Sequence, residues 1–273
     1  MTRSLPQLTF VVAVNNPDIL RTNLLASACF QGTHCHQVIL QKGFRSASSA
    51  YNGAIERADN DIVVFVHQDV LLPEPWLGQV NSAFTALTND DPHWGVLGCW
   101  GVKDTGEGCG HVYSHGDGVI GRAFDTPVPV QTLDEVVLII RKSSGLRFDV
   151  HLPDFHFYGT DICMRAASMR LRCYAISAFC IHNTAQYFLY PWKFYQCYWY
   201  VRKAWSQYLP IHTSCIRISR FNADLIYRQL RRAYWGATSG TLPRGSREED
   251  LTRLLKACGC DDRTALVRAR HVS

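Results

Sequence analysis

The residues best suited to chemistry end one apolar run, Asp61-Ile-Val-Val-Phe-Val-His-Gln-Asp69. A β-branched run of this length reads as a strand buried on both faces. A carboxylate at its tip is costly unless a cation or hydrogen-bond donors meet it. Ligands of open α/β sheets bind just beyond the carboxyl ends of strands. Asp69 therefore sits where a metal or polar ligand is expected; the plainer alternative is an Asp that caps the following turn. Two further clusters carry acid or imidazole groups, the stretch from Asp154 to Asp161 and His182. A carboxylate with one imidazole and water suits Mn²⁺ or Mg²⁺, so Asp69 and His182 are the expected metal ligands. The sequence has no HExxH, P-loop or GxSxG, and no GxGxxG follows the first strand, which argues against a dinucleotide site.

The elements that must position these groups alternate. Strands are expected at 8–14, 37–41, 62–66 and 94–102, with helices at 18–29, 46–58 and 73–87 between them. This alternation predicts an α/β fold with a mostly parallel sheet flanked by helices. A Gly-, His- and Asp-rich excursion spans 105–129, and an apolar strand interrupted by Asp134 and Glu135 spans 130–141. A helix at 160–169 with Thr160 as N-cap, a strand at 173–181 and two amphipathic helices at 225–234 and 248–257 complete the reading. Leu242 to Ser246 is expected as the loop between the last two.

Eleven cysteines are scattered with no CxxC pair, which fits reduced, buried thiols in a cytoplasmic protein. Cys258, Cys260 and His271 have the wrong spacing for a structural zinc site. No stretch is long and apolar enough to span a bilayer, and Met1 to Gln7 does not read as a signal segment. Charge is uneven: residues 1–182 carry 13 Lys and Arg against 17 Asp and Glu, while residues 183–273 carry 15 against 6. The basic C-terminal part points to an anionic partner.

Taken in order, several segments resemble the family 2-like glycosyltransferases of GT-A fold, specifically bacterial domains that read HQDV where others have DxD. These segments are the strand ending Val14-Asn15-Asn16, Ser49 to Ala58 followed by Asp61 to Val70, and Trp94 to Gly98. Val130 to Glu135, Gly145 to Asp149, Phe155 to Cys163 and Ile181-His182-Asn183 complete the set, over residues 8–183. The resemblance implies a catalytic domain at 1–185 with a helical appendage at 186–273. It also implies transfer of a sugar from a nucleoside-diphosphate sugar to an acceptor hydroxyl, inverting and metal-dependent. Asp69 matches the last acid of DxD and His182 the histidine that closes the metal site, with Mn²⁺ or Mg²⁺ as cofactor. Asn15, Asn16, Lys42, Asn52, Gln68 and Asp69 are the implied nucleotide-sugar contacts; Asp134, Glu135 and His156 face the acceptor. The family's acidic pair at the start of the late helix falls on Tyr158 and Gly159. Asp161 is therefore the expected base, with Asp154 second. The first acid of DxD is replaced by His67, and Gln41-Lys42 stands where relatives carry aspartates.

Ten aromatics in the nineteen residues 187–205 either pack a tail helix on the core or, with Arg202 and Lys203, meet a membrane surface. A glycan or lipid-linked acceptor and a peripheral position at the inner membrane face follow from the second reading. No RNA-recognition motif accompanies these rings, so no nucleic-acid partner is expected. Two alternatives stand beside the enzyme: a catalytically inactive module that binds nucleotide sugar or glycan, and a nucleotidyltransferase. The latter needs a Gly-rich basic loop that Asn15-Asn-Pro-Asp18 does not supply.

Overall fold

A computed structural model describes residues 7–31, 36–185, 190–238 and 247–260. Expectations placed on residues 1–6, residues 187–189, the 242–246 loop and His271 lie outside these residues. The chain runs β1 (Thr9–Val14), α1 (Pro17–Thr22), β2 (Gln37–Lys42), α2 (Ala47–Arg57), β3 (Ile62–Val66), β4 (Val70–Leu71) and α3 (Trp76–Asp90). A strand-rich middle follows: β5 (Val96–Gly98), β6 (Trp100–Val102), β7 (Gly108–Ser114), β8 (Gly118–Gly121), β9 (Val128–Val130), β10 (Thr132–Leu133) and β11 (Val137–Arg141). Then come α4 (Tyr158–Ser168), β12 (Cys173–Ala175), β13 (Cys180–His182), α5 (Trp192–Ala204), β14 (Ile211–His212), β15 (Arg217–Ile218), α6 (Ala223–Thr238) and α7 (Leu251–Ala257).

The main sheet has the order β2-β1-β3-β11-β5-β12-β9. β1 runs parallel to β2 and β3, but β11 enters antiparallel between β3 and β5. Five of the seven strands, β2, β1, β3, β5 and β12, point the same way and only β11 and β9 are reversed, so the sheet is mostly parallel as expected. Its strands alternate faces, as pleating requires. Val11, Val63 and Phe65 join one core with α2, α4 and α5, while Phe10, Val12, Val64 and Val66 join another with α3. Burial on both faces explains the unbroken apolar run of β3. A second sheet, β10-β6-β7-β13-β4, lies beside it.

Four local expectations change. The helix expected over 18–29 stops at Thr22, because the Asn23 amide donates to the Ile19 carbonyl (2.9 Å) and two 3₁₀ turns follow. The strands expected at 94–102 and 173–181 each split, and each serves both sheets, β5 with β6 and β12 with β13. Helix α4 starts at Tyr158, so its N-cap is Phe157 with φ 62°, not Thr160.

The stretch read as an appendage packs on the rest of the chain. Phe194, Cys197, Tyr198 and Val201 of α5 belong to the same cluster as Phe65. Leu254 and Leu255 of α7 pack with Leu71, Tyr113 and Ile181 of the second sheet. Among the described residues no helix is long and apolar enough to cross a membrane.

Candidate active site

Register brings the reactive groups together. β11 lies antiparallel to β3, with Val137 opposite Val66, so Asp134, Glu135 and Val136 meet the end of β3. His67 N–H donates to the Val136 carbonyl there (3.2 Å). β13 lies antiparallel to β4 with His182 opposite Val70, which sets His182 against Asp69. The result is a cluster of His67, Asp69 and His182 whose ligand atoms all lie within 4.8 Å of one another.

The electrostatics suit a cation. His182 Nε2 is 3.4 Å from Asp69 Oδ1, and Arg247 donates to Asp69 Oδ2 at 2.9 Å. Burial alone would raise the Asp69 carboxyl. The hydrogen bond and charge of His182, with His67 and Arg247, outweigh it and hold the group well below the usual carboxylate range. Burial and the neighbouring His182 lower the His67 pKa and favour the neutral imidazole a metal requires. The Tyr158 hydroxyl donates its one hydrogen to the Glu135 carbonyl (3.0 Å) and lies 2.9 Å from His67 Nε2. His67 Nε2–H must then be the donor to Tyr158, which leaves the lone pair on Nδ1 for a ligand. His67, which replaces the first acid of the DxD pattern, is thus a third candidate ligand. Its place in the run ending at Asp69 was the available signal.

The expected donor contacts divide. Asn15 and Asn16 lie exposed beyond β1, at the same sheet edge as the cluster, and Lys42 is exposed at the end of the neighbouring β2. Gln68 faces inward: its Oε1 accepts from the backbone N–H of Asn15 and of Asn16 (3.1 Å each), and its Nε2 donates to Asn15 Oδ1 (2.5 Å). Gln68 thus splices the ends of β1 and β3. Asn52 spends its amide on the Phe148 backbone, donating to the carbonyl and accepting from the N–H, both at 2.9 Å. Neither amide is directed at a ligand.

The acids divide too. Asp161 is 0% exposed. Its carboxylate accepts from Trp205 Nε1 (2.7 Å) and Arg165 Nε (3.2 Å), tying α4 to the end of α5. Both oxygens of Asp161, the expected base, are thus buried and engaged inside the fold. Asp154 is almost as buried and pairs with Lys193 at 2.5 Å. Asp134 accepts from the Val136 N–H (3.0 Å) and the Ser214 hydroxyl (2.5 Å). His156 is partly buried near Phe194, and burial lowers its pKa.

Glu135 differs from these. The backbone N–H of Gly159 donates to its Oε1 at 3.4 Å, and the N–H groups of Phe157 and Tyr158 also face its carboxylate. These are the free donors at the start of α4. Phe157 holds a left-handed backbone to aim them, a strained conformation of the kind that gathers at functional sites. A Cβ on Gly159 would lie 2.7 Å from the Leu133 carbonyl and 3.1 Å from Glu135 Cγ. The missing side chain at 159 is therefore the space that Glu135 uses. Burial, then the charge of Asp134, pushes the Glu135 carboxyl up to about 8 despite the helix N–H groups.

The match to known proteins settles the family: the model of the glycosyltransferase-like family covers residues 9–199. The chain belongs to that family. A curated relative from Fuscovulum blasticum, named for open reading frame 6 of an ATP synthase subunits region, is 30% identical over 134 residues. The match takes in 47% of this chain and 53% of that protein, so this member of the family spans about half the length of its relative. Among solved structures, a Pyrobaculum calidifontis mannosyltransferase in complex with GDP-Man and Mn²⁺ superposes with TM-score 0.44 at 14% identity, over 67% of this chain and 59% of that one. Residues 1–349 of S. aureus TarS give 0.41 at 15%, over 65% and 58%.

Proposed function

We propose that this family member moves a sugar from a nucleoside-diphosphate sugar to an acceptor hydroxyl, with inversion at the anomeric carbon. One juxtaposition carries the reading: the β11 register sets Asp134 and Glu135 against the end of β3, the strand that leads into the His67–Asp69–His182 cluster. Glu135 is the base in this reading, in place of Asp161. Its carboxylate takes the acceptor proton as the hydroxyl oxygen attacks the anomeric carbon and the bond to the diphosphate breaks. Two imidazoles with one carboxylate fit a borderline ion, which favours Mn²⁺ over Mg²⁺. A cation held by His67, Asp69 and His182 supplies charge neutralisation for the leaving diphosphate. Asn15, Asn16 and Lys42 remain the candidates for the nucleotide, and His156 and Asp134 for the acceptor side.

A thermal-shift screen of GDP-, UDP- and dTDP-sugars, with and without Mn²⁺, tests the reading. At least one donor should raise the midpoint only with the cation, and the same donor should release its nucleoside diphosphate on incubation. Binding without turnover would favour the inactive module, which the empty acidic positions at Tyr158 and Gly159 first suggested.

A peripheral membrane position and a lipid-linked acceptor gain support from α6 more than from α5. The inner face of α5 is committed to the core, though Trp192 and Trp199 stay exposed. On and before α6, Phe221, Ile226, Tyr227, Leu230 and Tyr234 are all more than half exposed. Arg228 and Arg231 are exposed on the same helix. A cavity of about 500 Å³ nearby is lined by Trp199, Arg202, Lys203 and Arg220, among others. Apolar side chains rimmed by arginine match an anionic lipid surface. Co-sedimentation with phosphatidylglycerol vesicles should be salt-sensitive and should be lost in the double variant Ile226→Glu, Leu230→Glu; equal binding to neutral vesicles would refute the contact.

A further inference from the structure

Arg247 lies 178 residues from Asp69 in sequence and outside the family match at 9–199, yet its guanidinium meets Asp69 Oδ2 at 2.9 Å. The placement is braced from three sides. Asn183, 1% exposed and next to His182, donates through Nδ2 to the Glu248 carbonyl (2.8 Å) and accepts from the Glu248 N–H (3.0 Å). The Asn183 N–H in turn donates to the Asp69 carbonyl (2.9 Å). Downstream, the fully buried Leu254 and Leu255 pin α7 to the second sheet. One backbone knot therefore fixes Asp69, His182 and Arg247 together.

The guanidinium is not exhausted by Asp69. Its Nε–H is buried and meets no acceptor among the described residues. A buried donor without a partner is costly and uncommon, and a planar fork of N–H groups matches phosphate oxygens in pairs. Charge leads to the same ligand. With Asp69 ionised, the histidines neutral and a divalent cation bound, the cluster with Arg247 carries two net positive charges, which complement a diphosphate.

Resting on the transfer reaction proposed above, we infer that Arg247 is a diphosphate-binding residue of the donor site, delivered from the C-terminal segment and aimed by Asp69. Its N–H groups hold the phosphates in the ground state and take up the charge that grows as the glycosidic bond breaks.

Calorimetric titration of the full chain with Mn²⁺ alone, and with GDP, UDP, GMP and UMP in the presence of Mn²⁺, tests this. Arg247→Ala and Arg247→Gln should weaken the better-bound diphosphate roughly 10- to 100-fold, shrink its advantage over the monophosphate and leave Mn²⁺ affinity equal or higher. Arg247→Lys, which keeps charge without the fork, should fall between. Circular dichroism should show all three folded. Unchanged diphosphate affinity in Arg247→Ala overturns the inference alone, as does a loss of Mn²⁺ binding, which would make the residue only a positioner of Asp69. A wild type that binds none of the four nucleotides, nor dTDP, overturns the transfer reading together with it.

Discussion

Glu135→Gln should lower kcat by roughly 10²- to 10⁴-fold, the span that a positioned general base supplies, while donor affinity stays within a few-fold of wild type. Glutamine keeps the shape and can still accept from the α4 N–H groups, but it cannot take a proton. The pH profile offers a second readout. With the carboxyl near 8, the basic form is scarce at neutrality, so kcat should rise as pH climbs through about 8 and flatten above it. A divalent cation nearby would draw that inflection downward. Stability has the opposite sign. The folded value lies above the ordinary 4.5, so this group's stabilising contribution is complete below 4.5 and lost as pH rises through about 8. Asp161→Ala is the contrasting variant. It leaves Trp205 Nε1–H without its acceptor and removes one of the two carboxylates on Arg165, which keeps Asp149; this should cost about 2 kcal/mol of stability, while the pH inflection persists in the folded fraction. An Asp161→Ala enzyme that folds normally yet has lost its turnover would return the base to Asp161.

Asp69→Asn should abolish the cation-dependent part of donor binding. The amide retains the size of the carboxylate but neither its charge nor an anionic oxygen for the metal. Loss of an outer partner of a metal ligand already costs roughly 10- to 100-fold in affinity, so loss of the ligand itself should exceed that. His182→Ala should behave alike. Tyr158→Phe should fall short of both, because it frees the His67 ring without removing a donor atom. Mn²⁺ titration followed by electron paramagnetic resonance measures all three directly. Unaltered Mn²⁺ binding by Asp69→Asn would break the metal assignment, whatever happened to activity.

Parts of this site were legible in the sequence because they obey local rules. An apolar run ending in His67-Gln68-Asp69 predicts a strand tip with polar groups, and β3 has that form. Other parts depend on pairings that no local rule encodes. Nothing around Val137 announces that β11 runs antiparallel to β3, yet this pairing carries Glu135 to the cluster. The resemblance implied Gln68 and Asn52 as donor contacts; only the fold shows their amides satisfying backbone groups. Asp161 was misleading for a related reason. An acid in the first turn of a helix looks like a reactive group or a cap, and the packing of Trp205 from α5 decides otherwise. The glycine at 159 was visible as a missing acid, but its meaning required the 3.1 Å approach of Glu135.

The link between Asp69 and Arg247 also bears on timing. A ribosome makes the strands that carry His67, Asp69 and His182 well before the arginine that meets them. During synthesis the nascent protein can fold its sheets while its reaction centre stays incomplete. Competence waits for the segment that carries Arg247, so a chain terminated between His182 and Arg247 would be folded in large part and catalytically mute.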